Sequence, residues 1–195
     1  MKKWCRLQFS SLPERKQEFM LRIERATEKS SELDRIRELY KRAFPGNERE
    51  PLRPLFEDPT DSSDVLSFFD GDVFCGFACL LTNLDITHIL YFAIEESLRG
   101  KGYGSAALDA MQNYKPGNRL IADIEMKTSY SDNNKERENR RKFYLRNGYK
   151  ETGVKFRWRH ESYEMLVRGG DLSQADYDGF WENIENKNQL FECYL

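Results

Sequence analysis

The stretch Arg99-Gly100-Lys101-Gly102-Tyr103-Gly104-Ser105 constrains this chain most. It follows the apolar run Ile89-Leu90-Tyr91-Phe92-Ala93-Ile94 and leads into a segment with helical spacing. Its glycines let the backbone come close to an anion, and the first N–H groups of the following helix have no intrahelical acceptors. Those amides, with the positive end of the helix dipole, form a cradle for a phosphate or pyrophosphate. Another short apolar segment, Leu120 to Glu125, comes after the helix. The unit therefore reads as a helical crossover between parallel strands, in a mixed α/β order.

Spacing decides which phosphate ligands fit. A P-loop closes on a Lys-Ser or Lys-Thr pair, and here Lys101 is followed by Gly102, so that motif is excluded. Gly102-x-Gly104-x-x-Ala107 matches the dinucleotide fingerprint in form, and Asp123 lies roughly 20 residues on, where a ribose-binding acid belongs. In that arrangement, however, the first glycine ends the strand almost at once. Here Glu95 to Lys101 intervene, and about 85 residues precede the strand.

The spacing Arg99-x-x-Gly102-x-Gly104, with Phe92-Ala93-Ile94 just upstream, resembles the acyl-CoA signature of the GCN5-related N-acetyltransferase (GNAT) family. A second segment, Phe143-Tyr144-Leu145-Arg146-Asn147-Gly148-Tyr149, is similar to a later motif of that family. In it an aromatic-tyrosine pair on a helix is followed by a glycine-aromatic pair opening a strand. The two segments stand in the family's order, about 40 residues apart with an apolar strand between them. The resemblance covers residues 21–168. It implies an α/β (α+β) fold: a mixed, mostly antiparallel sheet of six to seven strands with helices on both faces. It further implies a parallel central pair, 86–94 and 120–125, that splays apart.

Composition narrows the partners. The 31 Lys and Arg nearly balance the 33 Asp and Glu. No nucleic-acid footprint dominates, and small molecules or proteins are the expected partners. No apolar run approaches a bilayer span, and Met1-Lys2-Lys3-Trp4-Cys5 continues into polar sequence, so no membrane role and a cytoplasmic location are expected. Cys5, Cys75, Cys79 and Cys193 lack CxxC spacing, and His88 and His160 are the only histidines, so no metal site is expected. Cys75 and Cys79 share a predicted strand, about 13 Å apart and too far for a disulfide.

Along the chain, residues 1–19 read as a loosely ordered extension, 20–168 as the family-like domain and 169–195 as a C-terminal helical extension. Met20 stands so close to a first strand, Met20 to Ala26, that it is a candidate native start. Ser30 and Ser31 are placed to cap a helix carrying Leu33, Ile36, Leu39 and Tyr40. Leu52 to Phe56 reads as a short second helix. Val65 to Phe69, Asp70-Gly71-Asp72 and Val73 to Leu81 read as a hairpin, and Thr82 to Asp85 as the turn into the central strand. Further elements are a helix from 104 to 114, a charged helix from Lys135 to Arg146 and a final hairpin from 149 to 167. Ser173-x-x-Asp176 caps a last helix whose Tyr177, Phe180, Trp181 and Ile184 form one stripe. Packing on its own domain, a homodimer contact and a cover for the acceptor site are the uses for that stripe. Leu190, Phe191, Tyr194 and Leu195 pose the same question.

The resemblance implies acetyl-CoA as donor and an amine as acceptor, with the pantetheine arm filling the splay. Backbone groups of Phe92, Ala93 and Ile94 would pair with that arm, and a strand N–H would polarise the thioester oxygen. Gly100, Gly102, Tyr103, Gly104 and Ser105 would supply the phosphate cradle, with Arg99 and Lys101 adding charge. Tyr144 is the implied proton donor to the departing thiolate. Family members commonly have an asparagine seven residues before this tyrosine. Arg137 stands there, leaving Asn134 or Asn139 to replace it. The attacking ammonium must lose a proton, and Glu125, sharing a strand face with Asp123, is the first candidate base, ahead of His88. The run Lys135 to Lys142 reads as a solvated helix face laced with ion pairs. A non-catalytic acyl-CoA sensor or interaction module is the alternative, and a nicotinamide oxidoreductase a more remote one.

Overall fold

The computed structural model describes residues 20–187 except 59, 130 and 160, and no side chains from 185 to 187. The extension 1–19, Cys5, His160, Cys193 and the apolar residues from Leu190 onward lie outside the described residues. No helix among the described residues is long and apolar enough to cross a membrane.

In chain order the elements are β1 (Arg22–Arg25), α1 (Leu33–Ala43), α2 (Arg53–Phe56), β2 (Ser63–Asp70), β3 (Val73–Asn83), β4 (Ile86–Ile94), a 3-10 turn (Glu96–Leu98), α3 (Tyr103–Tyr114), β5 (Arg119–Glu125), α4 (Asn134–Arg146), β6 (Lys150–Trp158), β7 (Glu161–Arg168) and α5 (Gln174–Lys187). The strands form one sheet in the order β1-β2-β3-β4-β5-β7-β6. Every neighbouring pair is antiparallel except β4 with β5. α3 makes the crossover between these two. Burial divides into two clusters, one containing α1, α2 and α5 residues and the other α3 and α4 residues, so helices cover both faces.

The periodic positions of α1, Leu33, Ile36, Leu39 and Tyr40, are its buried ones. Ser30 does not cap this helix: the residue before it is Glu32, and no side chain bonds the end. The Ser30 hydroxyl instead accepts from the Thr27 N–H at 2.9 Å, a local turn that competes with capping. The β3–β4 turn is shorter than expected. β3 runs on to Asn83, and Leu84 takes the left-handed conformation at φ 52°. At α5 the reciprocal cap forms, with Ser173 N–H on Asp176 and Asp176 N–H on the Ser173 hydroxyl, at 2.9 and 3.1 Å.

One irregularity shapes everything downstream. Cys79 faces Tyr91 and Leu80 faces Ile89, so Leu90 has no partner and β4 bulges there. Parallel pairing of β4 with β5 ends at Ile89–Ala122. Beyond it each strand keeps its outer neighbour: Phe92, Ala93 and Ile94 stay on β3, and Asp123, Ile124 and Glu125 stay on β7. The inner edges diverge into a fork.

Gly76 holds the far end of β4 in place, because it pairs with Ile94 and a Cβ there would lie 2.2 Å from the Ala93 carbonyl oxygen. Gly76→Ala is expected to lower stability in urea unfolding by about 1–3 kcal/mol through forced displacement of that strand. Gly179→Ala, in α5 with no atom within 4 Å of the added carbon, is expected to leave it unchanged or raise it by up to about 1 kcal/mol.

Candidate active site

The fork opens into a cavity of about 490 Å³. Ile89 to Ile94 of β4 and Asp123 and Glu125 of β5 form its floor. Phe44, Pro45 and Glu48 also line it, and Phe156, Trp158, Tyr163, Tyr177 and Trp181 give it an aromatic wall. Two buried phenols place Glu48. Tyr40 Oη donates to the Glu50 carbonyl at 2.8 Å, and Tyr91 Oη donates to the Glu48 carbonyl at 3.2 Å. Arg159, at the β6–β7 turn, pairs with the Glu50 carboxylate and the Asn47 carbonyl, tying that turn to the same loop.

A second cavity, of about 390 Å³, lies at the glycine turn and is lined by Gly100, Gly102, Gly104, Ser105, Phe143 and Arg146. Phe92, Ile94, Arg99, Arg140 and Tyr144 line both cavities, making one continuous path. Gly100 and Gly102 have φ of 75° and 98°, which bend the chain so that the α3 amides open onto this space. The first helical bond of α3 is Ala106 N–H to Gly102 C=O at 3.1 Å, and no acid stands in its first turn. A Cβ on Gly104 would come within 3.1 Å of the Phe143 ring, so glycine there allows α3 to pack on α4. Arg99, Arg140 and Arg146 line this cavity and no carboxylate does. Bare amides and guanidinium groups suit a pyrophosphate.

Arg99 bends back so that Nε donates to the Ile94 carbonyl at 3.1 Å. Lys101 is exposed and lines neither cavity, and Tyr103 turns away to donate to Asp70 at 2.7 Å. That carboxylate raises the Tyr103 phenol to about 12. Tyr144 is buried at the junction, its ring edge-on to Phe143 and Tyr149. Burial pushes its pKa well above the ordinary phenol value and the Asp123 charge adds to this, while Arg140 opposes it. Glu125 is buried with its carboxylate paired to Arg140 of α4. Glu48 has its carboxyl raised, first by burial and then by the Glu125 charge.

Arg137 lines neither cavity. It is buried and donates to Asn133 Oδ1, the Met126 carbonyl and Glu161 at 2.8, 2.6 and 3.1 Å, fastening the β5–α4 loop to β7. Asn134 donates to the Thr128 and Ser131 carbonyls, and Asn139 is exposed, so neither stands in the fork. Among the described residues no group of His, Cys, Asp and Glu is placed to hold a metal ion.

A family model described as the acetyltransferase (GNAT) family matches residues 33–149. The chain belongs to this family. GNAT membership carries the coarse chemistry, transfer of an acyl group from an acyl-CoA to nitrogen. The chain has no match among curated proteins. Solved structures share the GNAT fold at low identity. One, from Bacteroides thetaiotaomicron and assigned to the GNAT acetyltransferases, is 20% identical with a TM-score of 0.70, covering 85% of this chain and 96% of that one. The ribosomal-protein-S18-alanine N-acetyltransferase from Escherichia coli is 14% identical with a TM-score of 0.58, covering 79% and 96%. An aminoglycoside 6'-N-acetyltransferase complexed with coenzyme A is 14% identical with a TM-score of 0.59, covering 75% and 95%.

Sequence reasoning missed two contributors to this cavity, Arg140 as partner of Glu125 and Glu48, for which no local signal exists. The α5 stripe, for which a cover of the acceptor site was one of three uses, both packs in the core and sends Tyr177 and Trp181 into the cavity wall. Tyr91, Tyr144, Tyr149, Tyr163 and Tyr177 are all buried, and burial is the leading cause that raises each phenol. The folded protein therefore keeps these protons after the unfolded chain has released its own. Their contribution to stability is fully present below about pH 10 and is lost as pH rises further. An alkaline titration should show tyrosinate absorbance from these residues only together with loss of near-UV dichroism; their titration in the intact fold would contradict this.

Proposed function

We propose that the protein is an acetyl-CoA-dependent N-acetyltransferase that moves the acetyl group directly to an amine of a small-molecule or protein acceptor. The observation that carries this reading is the junction. Tyr144 lines both the arginine-lined cavity at the glycine turn and the carboxylate-lined cavity in the fork. The coenzyme A bound to the aminoglycoside 6'-N-acetyltransferase of the same fold supports it.

The donor supplies an activated thioester; the chain supplies position, charge and a proton. The amides after Gly102, with Arg99 and Arg146, hold the phosphate end. The inner edge of β4 beyond Leu90 offers backbone groups without strand partners, suited to the amides of a pantetheine arm. Strand N–H groups there are placed to stabilise negative charge on the thioester oxygen. Tyr144 keeps its proton at working pH because burial holds it, and so can give that proton to the sulfur as the C–S bond breaks. Its ring also packs between Phe143 and Tyr149, which fixes where the phenol points. Two carboxylates, Asp123 and Glu125, face the fork from β5 to receive the acceptor's proton.

Acetyl-CoA and CoA should raise the melting temperature, and a thiol-release assay against a panel of amines should find turnover. Stabilisation by NAD without stabilisation by acetyl-CoA would reject the reading. Tyr144→Phe should lower kcat by about 100-fold while acetyl-CoA affinity stays within about twofold, since only the proton is removed. Unchanged turnover in that variant would assign Tyr144 to packing alone.

A further inference from the structure

The geometry points to Asp123 as the group that receives the acceptor's ammonium and takes its proton. His88 is the residue that positions it, and the acceptor bears no carboxylate beside its amine. This inference rests on the acyl-CoA reading above.

Register places Asp123 at the fork. The last parallel pair is Ile89–Ala122, so Asp123 is the first β5 residue beyond it. It lies on the same strand face as Ile121, which packs in the cluster of α1 and α5. Glycine-turn helix α3 covers the other face. Asp123 therefore stands on the side of the sheet from which an acceptor meets a donor held at the glycine turn.

His88 fixes the carboxylate from behind. Its Nε2 lies 2.9 Å from Asp123 Oδ1; the histidine side chain is 3% exposed and the aspartate 27%. Both line the cavity, and the carboxylate is the more open of the two. A carboxylate only accepts, so Nε2 donates. His88 Nδ1 is buried with no partner among the described residues. With the proton on Nε2, that position holds a lone pair rather than a stranded N–H. The ring is wedged edge-on between Phe180 and Trp181 of α5, at centroid distances of 6.1 and 5.8 Å. Glu125, by contrast, is already engaged by Arg140.

The surroundings select the acceptor. Tyr91, Tyr144, Tyr163 and Tyr177 line the same cavity as Asp123, so this carboxylate opens among phenol rings. Phe156 stacks on both Tyr163 and Tyr177, at 5.2 and 5.4 Å, giving flat apolar faces beside the negative group. An alkyl or arylalkyl ammonium satisfies both, by ion pairing and by contact of its skeleton and charge with the rings. Of the two arginines that also line this cavity, Arg140 is engaged by Glu125 and Arg99 by the Ile94 carbonyl, so the carboxylate of an α-amino acid would stand against the Asp123 charge, where like charges repel.

The step balances. The ammonium gives one proton to Asp123, and the freed nitrogen pair forms the C–N bond to the acyl carbon. The C–S bond breaks with its electron pair on sulfur, which takes the Tyr144 proton. Asp123 passes that proton to water, then takes the second N–H proton as the amide forms and releases it to water as well, and Tyr144 regains its proton from water.

The test compares 1,5-diaminopentane with lysine, and 2-phenylethylamine with phenylalanine, pairs that differ by one carboxylate. Wild type should prefer the carboxylate-free member by about tenfold or more in kcat/KM. Asp123→Asn should lower kcat by about 100-fold and weaken that preference. Calorimetry on the CoA-loaded protein removes dependence on turnover: wild type should bind 1,5-diaminopentane, and Asp123→Asn should bind it about tenfold more weakly. His88→Phe keeps an aromatic ring and removes the donor. It should lower kcat with little change in acetyl-CoA KM and add little further loss to Asp123→Asn, and His88→Gln should restore part of the rate. Equal use of lysine, or unchanged diamine binding by Asp123→Asn, overturns the inference while CoA binding stands. Absence of CoA binding overturns the acyl-CoA reading and takes this one with it.

Discussion

The site depends on a pairing that stops. β4 and β5 are neighbours for four residue pairs, from Ile86–Arg119 to Ile89–Ala122, and then part at the Leu90 bulge. Backbone N–H and C=O groups seldom stay without partners inside a protein, because each one left so is costly. A sheet that opens at its centre therefore needs something other than protein to fill the gap. The outer partners make the opening stable: β3 holds the far half of β4, and β7 holds the far half of β5. The fork is a rigid fixture, built from two well-paired halves of one sheet.

Charge is divided along the path through it. Every carboxylate of the path, Glu48, Asp123, Glu125 and Glu136, lines the fork and none the glycine turn, whereas Arg146 lines the glycine turn alone and Arg99 and Arg140 line both. On the proposed reading, an anionic donor and a cationic acceptor are drawn to different ends of one passage and meet at Tyr144. Arg140, shared by both cavities and paired to Glu125, marks where the sign changes. Without that guanidinium, Glu125 would be an uncompensated buried charge at the reacting end.

Much of this was legible because it is local. β4 occupies the apolar run Ile86 to Ile94, and the glycine turn stands where strand meets helix, since both signals depend on consecutive residues. Ala107, Leu108 and Met111 read as the buried stripe of α3 and are fully buried. What could not be read is what joins distant positions. His88 was the second candidate base and Asp123 only a neighbour of Glu125 on its strand face, and nothing in their spacing says that they share a hydrogen bond across the start of the fork. The pairing of Arg140 with Glu125 was hidden in a run of alternating charge that fits a solvated helix equally well. The Leu90 bulge is a disagreement between two strands, so neither strand alone reveals it. Even a local signal fails where two local structures compete, as at Ser30, whose hydroxyl bonds Thr27 rather than the helix.

The last helix shows how such distant joins link stability to chemistry. α5 lies beyond the residues that the GNAT family model matches, yet Phe180 and Ile184 are buried in the same cluster as α1 and the central strands. Its Trp181 and Phe180 hold the His88 ring, and His88 holds Asp123. Its Tyr177 stacks with Phe156 to form the wall an acceptor would meet. A change that loosens α5 should therefore act twice, by removing buried apolar area and by freeing the carboxylate at the fork. Loss of stability and loss of acceptor selectivity are then coupled through one helix, whereas a change at the glycine turn acts on the donor end and leaves that helix untouched.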